Sequence, residues 1–320
     1  MRSLFSGAHR QPAIASKSDI VFFRAHFAAF PLALLVRLLG RPAVHEVNGV
    51  YEDAFVTHPR FALLRGMLCR MQRAQYRWSG ALVAVTPDLV SWAMREAGHS
   101  NVFLVTNAAN TAIFNPDGPH LSRSCRYVVF FGGLVRWHSI DVMIEAARSS
   151  AWPKDIELLI VGPVVDESLG PALEQLPPAA KYLGRRPQTE LPPLVRGAFA
   201  ALVPISDPGR RSGYGVMPLK MFEALACGTP VIVSDLPGQA EFIRNHRCGI
   251  VVPVADPLAL AGAVAELAGD ESRARELGRA GAEVVLAEHS WSARAAELAR
   301  VMRQILNRPQ PARPDTQRAR

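Results

Sequence analysis

Short apolar segments alternate with helical segments along most of this chain of 320 residues, and this alternation constrains its fold more than any other feature. Ten apolar segments have the length and composition of buried strands. Nine occupy residues 19–23, 43–47, 81–87, 101–107, 126–134, 156–162, 181–185, 200–206 and 249–253, and the tenth closes the stretch 213–235. Strands that alternate with helices pack as a parallel sheet with helices on its faces. The sequence therefore predicts an α/β fold of the doubly wound type.

A break in this pattern divides the chain into two domains. Residues 115–124, NPDGPHLSRS, have no periodicity and are rich in proline, glycine and serine, which is typical of a linker. We predict an N-terminal Rossmann-like domain over residues 1–118 and a C-terminal one over residues 119–306. The first has only four clear strands, so it is expected to be incomplete. The proline- and arginine-rich residues 307–320 are expected to be disordered.

The composition is that of a globular protein, since 49% of the residues are hydrophobic. Four scattered cysteines show no metal-ligand spacing and favour a reducing cytosol. They are Cys69, Cys125, Cys227 and Cys248. The first residues lack the continuous apolar region of a secretory signal, and the apolar run at 27–36 is too short to span a bilayer. We therefore predict a cytoplasmic location.

The net charge of +8 is concentrated in the first domain, where residues 1–124 carry a balance of +6. Such asymmetry indicates an anionic partner. Residues 60–78, RFALLRGMLCRMQRAQYRW, interleave arginines with apolar residues at helical spacing, as does a helix at a membrane surface. A helix with one face in the core and a solvated basic face is an equally good interpretation. Nucleic acid is not expected as a partner, because aromatic residues for base stacking are sparse.

Residues 213–235, GYGVMPLKMFEALACGTPVIVSD, predict a glycine-bearing loop, a helix from about Met217 to Ala226, a stop at Gly228 and a buried strand. Pro218 suits the first helical turn. Lys220 and Glu223 are three residues apart and share one face of this helix. Because a cation is unfavourable near the positive end of a helix dipole, an anion is expected to bind there. A solvated Lys–Glu pair on an ordinary helix is the alternative.

Backbone groups near two loops add to this expected phosphate site. The amides of Gly132 and Gly133, and those over the segment Met217, Pro218 and Leu219, are expected to cradle phosphate. Glycine suits the first loop because a Cβ atom would hold phosphate away.

Polar residues also follow the strand at 43–47 in the first domain. His45, Glu46 and Asn48 lie near its carboxyl end, where open α/β sheets place ligands.

Several motifs resemble one enzyme family in the family's own order. They are FFGGLVRWHSIDVMIEAA (130–147), LLIVG (158–162), YLGR (182–185), and PLKMFEALACGTPVIVSDLPGQAEFI followed by CGIVVPVADPLALAGAV. Together they resemble the C-terminal donor-binding domain of GT-B glycosyltransferases of family 4, over about residues 125–303. The stretch 104–116, LVTNAANTAIFNP, resembles the end of the family's N-terminal domain. The resemblance implies a GT-B fold of two Rossmann-like domains, with the first units of the N-terminal domain absent.

This resemblance assigns roles to the helix at 217–226. It implies that Glu223 binds the ribose hydroxyls of a nucleotide and that Lys220 contacts the donor pyrophosphate, as in the Pro-Leu-Lys branch of the family. Gly215 stands where the family usually has a second carboxylate, which contacts the donor sugar.

The loop after the strand at 126–134 also departs from the family. The family's Arg and Lys are replaced here by Gly133 and His138, so Arg136 and His138 are expected to supply the cationic pair. Arg185 is expected either to flank the nucleotide base or to be an ordinary surface arginine.

The resemblance also implies the chemistry. A retaining transfer is expected, in which the leaving diphosphate deprotonates the acceptor and Lys220 and Arg136 stabilise it. The sequence has no Asp-x-Asp motif, so we expect neither a metal nor a cofactor beside the nucleotide-diphosphate sugar. His45 is either catalytic or structural.

Polar residues of both domains are assigned to the substrates. Glu46, Asn48 and Asp207 are expected to orient the acceptor or the donor sugar.

The expected function is a metal-independent hexosyltransferase for a lipid-linked or saccharide acceptor in surface polysaccharide assembly. We expect it to lie in the cytoplasm, peripherally at the anionic inner face of the cell membrane. Two alternatives are a truncated, non-catalytic nucleotide-sugar-binding module and a sugar-nucleotide epimerase of the same architecture.

Overall fold

The computed structural model describes residues 18–57, 59–206 and 211–307, which form two parallel β-sheets. The first sheet has the order β1-β2-β3-β4, and the second has the order β10-β9-β8-β5-β6-β7. The strands are β1 (Val21–Arg24), β2 (Ala43–Val47), β3 (Ala81–Ala84), β4 (Val102–Leu104), β5 (Arg126–Phe131), β6 (Ile156–Val161), β7 (Ala180–Tyr182), β8 (Ala200–Val203), β9 (Val231–Ser234) and β10 (Gly249–Val252). An α/β fold with two parallel-sheet domains is therefore confirmed.

Helices connect these strands and close the chain. They are α1 (Phe30–Leu38), α2 (Asp53–Thr57), α3 (Arg65–Trp78), α4 (Pro87–Ala97), α5 (Ile140–Arg148), α6 (Gly170–Glu174), α7 (Leu191–Gly197), α8 (Leu219–Ala226), α9 (Gln239–His246), α10 (Pro257–Gly269), α11 (Glu271–Glu288) and α12 (Trp291–Leu306). None of the described helices is long and apolar enough to cross a membrane.

The second sheet reverses its strand order between β5 and β8. On one side of β5 the next strands are β6 and β7, and on the other side they are β8, β9 and β10. In such sheets the connections on the two sides depart in opposite directions and leave a crevice at the carboxyl ends of the two central strands. The topology thus marks the ends of β5 and β8 as the expected ligand site.

The first sheet contains four described strands in sequential order without a reversal. One face packs on α3 and α4 through a cluster that includes Tyr76, Leu82 and Trp92. The other face is covered by the last described helix, because Val301 and Ile305 of α12 contact the side chains of β2 and β3. The C-terminal helix therefore packs on the first domain, although the sequence placed it with the second.

The chain enters the second domain earlier than predicted. Ala109 and Phe114 are fully buried in the core beneath the second sheet. The amide of Ala109 donates to the carbonyl of His289 at 2.9 Å, so the two crossing segments are tied together. The predicted linker, residues 115–124, runs along α7, where Arg196 donates to the carbonyls of residues 115 and 119. Two apolar residues before the predicted boundary at 118 thus pack in the second core, and the boundary itself stays a prediction.

The predicted basic helix at 60–78 is divided in the structure. Its first part is the 3₁₀ helix Pro59–Leu64, and only α3 is α-helical. Gln72, Gln75 and Tyr76 of α3 face the core. Of the predicted disordered tail, only Asn307 is among the described residues.

Helix α8 is held in place by close packing against α11. Only its residues Leu219 and Glu223 are not buried, and the rest of the helix lies against the sheet and α11. Gly278 of α11 approaches the carbonyl of Gly228, at the end of α8, so closely that a Cβ atom would lie 2.0 Å from that oxygen. Backbone packed against backbone at this distance permits only glycine.

We expect Gly278→Ala to lower the free energy of unfolding by about 1–3 kcal/mol, because α11 must move away from α8. Gly262→Ala is the matched control, since a Cβ atom at Gly262 of α10 would have nothing within 4 Å. Alanine should there stabilise the helix by about 0.5–1 kcal/mol. Thermal unfolding followed by circular dichroism measures both, and equal shifts in the two variants would contradict the packing argument.

Candidate active site

The candidate site lies at the carboxyl ends of β5 and β8. The loop after β8 is tied to the loop after β5, because the amide of Ser206 donates to the carbonyl of Trp137 at 3.1 Å. Helix α8 follows β8 and begins at Leu219, two residues later than predicted. Pro218 is its N-cap residue, with extended backbone and no side-chain hydrogen bond to the first turn. The helix therefore presents an uncapped N-terminus beside the crevice.

Of the residues predicted to cradle phosphate before α8, Pro218 is unsuited to that role. Proline has no N–H group, so Pro218 cannot donate to a phosphate. Met217 is buried, and its carbonyl accepts a hydrogen bond from Asn107 Nδ2 at 2.6 Å. Leu219 is exposed at the first helical position, where an amide lacks an intrahelical partner.

Lys220 is the most unusual group of the site. The residue is 8% exposed, and its Nζ atom has no hydrogen-bond partner among the described residues. The ammonium lies 4.0 Å from the centre of the Phe130 ring. Burial lowers the pKa of Lys220 to about 7, and the nearby Glu223 carboxylate opposes this shift. A buried cation without a partner is costly, which is the expected state of an anion site before its ligand binds.

Gly132 leaves room for this ammonium. Its φ is +127°, and a Cβ atom there would lie 3.2 Å from Lys220 Nζ. The positive φ and the close approach of Lys220 favour glycine here, whereas the sequence argument for this glycine concerned a phosphate. Its amide, however, donates to the carbonyl of Val161 at 2.9 Å. The prediction that the Gly132 amide cradles phosphate is wrong, because β6 already uses that donor; Gly133 follows it in the same loop.

Glu223 lies one turn after Lys220 on the same face of α8, as predicted. Burial raises the pKa of its carboxyl to about 7, and Lys220 counteracts that shift. Each group favours the charged form of the other, while burial favours both neutral forms. A ligand that presents an anion to Lys220 and hydroxyl donors to Glu223 would satisfy both.

Gly215 occupies the position where the family resemblance placed a carboxylate. Its φ is +76°, and a Cβ atom would lie 3.2 Å from the Thr86 side chain and 3.3 Å from the carbonyl of Pro237. A glutamate would be strained in this backbone and crowded by the first domain. The site therefore uses this position for packing between domains.

Two residues beside Gly215 were not identified from the sequence. Thr86 Oγ1 donates to the carbonyl of Tyr214 at 2.5 Å, and the Tyr214 ring packs edge-on against Trp92, with centroids 6.0 Å apart. Tyr214 thus anchors the loop before α8 to the first domain. The one sequence signal for this contact between the domains was the glycine at 215, which permits a close approach. Neither Thr86 nor Tyr214 belongs to a chemical motif.

The two predicted cations after β5 have different environments. Arg136 is largely exposed and forms an ion pair with Asp166 at 3.4 Å and a hydrogen bond with Ser168 Oγ at 3.1 Å. These contacts hold it toward the loop after β6. His138 is held by a 2.7 Å hydrogen bond between its Nδ1 atom and the carbonyl of Gly133. Neither geometry tests their predicted contact with a diphosphate.

His45 does not face a crevice. The residue is 1% exposed, and its ring lies between those of Phe23, at 4.1 Å, and Tyr76, at 6.5 Å. Burial lowers its pKa to about 3, so the imidazole is neutral. His45 is buried because it is central in β2, which is covered on both faces. Of the two roles considered for His45, this burial favours the structural one.

The remaining predicted residues are spread over the molecule. Glu46 is half-buried in β2, and Asn48 is exposed just after it. Arg185 is exposed beyond β7, the edge strand of the second sheet, so β6 separates its strand from β5. Its contact with a nucleotide base stays a prediction. Asp207 lies outside the described residues. No group of three or more potential metal ligands occurs in the described part of the chain.

Comparison with known proteins places this site in a family. Residues 125–270 match the sequence profile of the glycosyl transferases group 1. The α-maltose-1-phosphate synthase of Mycolicibacterium smegmatis is 26% identical over 261 residues, which are 73% of this chain and 66% of the relative. The phosphatidyl-myo-inositol mannosyltransferase of Mycobacterium leprae is 35% identical over 148 residues, which are 46% of this chain and 37% of the relative. The chain thus spans less than two thirds of the length of these relatives.

A solved structure extends the similarity to both domains. Anabaena HepE, crystallised with UDP, superposes with a TM-score of 0.76 at 15% identity and covers 92% of this chain and 81% of its own. At this identity the likeness concerns the fold, which is the GT-B arrangement of two Rossmann-like domains. The profile match, the relatives and the fold agree with the motifs around Lys220. The C-terminal domain of this chain is thus similar to the glycosyl transferases group 1, whose profile it matches over residues 125–270.

Proposed function

We propose that this protein transfers a sugar from a nucleoside-diphosphate sugar to a hydroxyl group of a lipid-linked or saccharide acceptor. The observation that carries the proposal is the buried ammonium of Lys220, which lacks a partner among the described residues at the uncapped start of α8. An oriented helix N-terminus and a desolvated cation together favour a diphosphate. Glu223, on the same helix face, is suited to accept hydrogen bonds from ribose.

Lys220 would act most strongly on the leaving group. As the bond between the anomeric carbon and the donor phosphate oxygen breaks, negative charge grows on the diphosphate, and a preorganised cation in a dry site stabilises it. The acceptor oxygen forms the new bond to the anomeric carbon and gives its proton to the departing phosphate. This step retains configuration and uses neither a metal nor a protein nucleophile. Arg136 is the further cation proposed to assist.

The names of the relatives support a choice among acceptors. One relative is named as a phosphatidyl-myo-inositol mannosyltransferase and the other as an α-maltose-1-phosphate synthase, while HepE was crystallised with UDP. The names of similar proteins thus include both a lipid and a sugar phosphate. We propose a hexosyl transfer in surface glycan assembly, on the cytoplasmic side of the membrane.

A non-catalytic binding module is the second candidate, and one observation favours it. Gly215 has a backbone and surroundings that exclude the sugar-binding carboxylate expected from the family resemblance. Without that carboxylate, the site has candidate contacts for the nucleotide in Lys220 and Glu223 but lacks the expected contact for the donor sugar. Such a protein would bind nucleoside diphosphates without transferring sugar.

We expect affinity for nucleoside diphosphates to fall as pH rises from about 7 to about 9, by at most about tenfold per pH unit. The free ammonium of Lys220, with its pKa near 7, loses its proton over this range, whereas the terminal phosphate, with a pKa of about 6, stays ionised. Titration calorimetry in buffers of different ionisation enthalpy should detect one proton taken up on binding.

Lys220→Met is the matching variant and should bind weakly at every pH. Because burial lowers the folded-state pKa of Lys220, the folded protein binds the proton less tightly than the unfolded chain between pH of about 7 and about 10. Lysine therefore destabilises the fold at neutral pH, and the variant should melt at a higher temperature. Unchanged affinity in Lys220→Met would contradict the site assignment.

We expect Glu223→Gln to weaken binding of a ribonucleoside diphosphate about tenfold, because a charged hydrogen-bond acceptor is lost. The 2′,3′-dideoxy analogue should bind the variant and the natural protein equally. Glu283→Gln, on the exposed side of α11, is the control. If the variant weakens both ligands alike, Glu223 does not recognise ribose.

Transfer itself is tested with radiolabelled nucleotide sugars incubated with a membrane lipid extract or with saccharides. We expect label to reach an acceptor with the natural protein and not with Lys220→Met, because only the former stabilises the leaving diphosphate. Tight nucleotide binding by the natural protein, with no label transferred from any donor, would establish the binding module instead.

A further inference from the structure

Eight consecutive residues that lead into α3 are exposed, and half of them are large and apolar. The exposed segment runs from Arg60 to Met67, with the sequence RFALLRGM. Leu63 is 96% exposed, Met67 52% and Leu64 48%. Phe61 is also among the exposed large hydrophobic residues. A contiguous apolar surface of this kind on a globular protein indicates a binding partner.

The core of the first domain does not use this segment. The fully buried residues of α3 are Gln72, Gln75 and Tyr76, and Cys69 is a partly buried residue that also packs on this core. None of the residues from Arg60 to Met67 belongs to that core cluster. The end of α3 is fixed by the Trp78 ring, which packs on Phe30 of α1 at 5.6 Å. The helix is therefore anchored through its C-terminal half while its first turn stands clear of the fold.

The charges along the segment are all positive. Arg60 and Arg65 lie within it, and Arg70 is exposed one turn later. Residues 54–87 contain no aspartate or glutamate. The guanidinium of Arg60 lies 5.2 Å from the Phe61 ring, and that of Arg65 lies 5.7 Å from the Phe55 ring. Arginine beside exposed apolar side chains suits the boundary between lipid head groups and acyl chains.

We propose that the segment Arg60–Met67 binds the surface of an anionic bilayer, with Leu63, Leu64 and Met67 inserted below the head groups and the arginines beside lipid phosphates. A long run without carboxylates matches anionic lipid in charge, since no acidic group in it would oppose the surface. This segment is shorter than the helix at 60–78 that the sequence suggested for membrane contact. The proposed contact is the exposed segment at the start of α3, not the apolar face of one continuous helix.

The topology places this segment on the same side of the first domain as its contact with the donor domain. The chain leaves the carboxyl end of β2 at Val47 and returns through α3 to the amino end of β3, so the start of α3 lies toward the carboxyl edge of the sheet. Thr86, which contacts the loop before α8, follows the carboxyl end of β3. A membrane bound by this segment would thus lie toward the edge that meets the donor domain.

The test is flotation of the full-length protein with vesicles of phosphatidylcholine alone or mixed with phosphatidylglycerol, without donor or acceptor. We expect the natural protein to bind the anionic vesicles at least about tenfold more tightly. Replacement of Leu63, Leu64 and Met67 by serine should weaken that binding at least about tenfold. Leu258→Ser, at an exposed leucine of α10, should bind as the natural protein does. All variants should keep their melting temperature within a few degrees, since none of the replaced side chains belongs to a described core cluster.

A second arm tests the charges. Glutamine at Arg60, Arg65 and Arg70 should remove the preference for anionic vesicles and its sensitivity to salt, whereas Arg279→Gln on α11 should change neither. Equal binding to both vesicle types, or unchanged binding by the serine variant, overturns the proposal. So does a dimer of the natural protein that the serine variant dissociates without any effect on vesicles, because the segment would then join two copies. Vesicle binding is measured without catalysis, so its failure leaves the transfer proposal intact.

Discussion

The site depends on the burial of the Lys220 ammonium away from solvent. Phe130 and Gly132 lie against it with apolar and backbone atoms, and most other residues of α8 are buried as well. A charge in such surroundings is destabilising until a counter-ion arrives, and its pKa near 7 is the measure of that penalty. The fold therefore holds a strained electrostatic state that binding of a diphosphate would relieve. Gly132 is needed because its loop approaches the Lys220 ammonium closely, and Gly278 is needed because α11 packs on the backbone just after α8.

The loop that leads into α8 also joins the two domains. Tyr214 and Gly215 contact Thr86 of the first domain, and Asn107 donates to the carbonyl of Met217 just before α8. The residues that position Lys220 are consequently fixed partly by the first domain. A change in the relative position of the domains would alter the start of α8, so the site depends on both domains although its titratable groups lie in one.

Local patterns allowed the strands and the central pair of the site to be predicted. Lys220 and Glu223 were found because residues three apart share a helix face, whatever surrounds the helix. The role of His45 could not be decided from the sequence. Strands in a parallel sheet are buried on both faces, so the sequence does not reveal which of their polar residues are exposed to solvent. The domain boundary, the use of the Gly132 amide and the contact of Arg136 with Asp166 involve segments distant in sequence. Such contacts depend on three-dimensional packing, and no local periodicity records them.

The exposed segment Arg60–Met67 bears on which acceptor the proposed enzyme would use. A soluble saccharide gains nothing from a protein held at a bilayer, whereas a lipid-linked acceptor is confined there and its local concentration rises when the protein is bound beside it. Both this segment and the loop that leads into α8 lie toward the carboxyl edge of the first sheet. An acceptor head group at the bilayer would therefore approach from the side on which Lys220 is proposed to hold the donor diphosphate. The proposed membrane binding and the proposed transfer, taken together, favour the lipid-linked class over free saccharides.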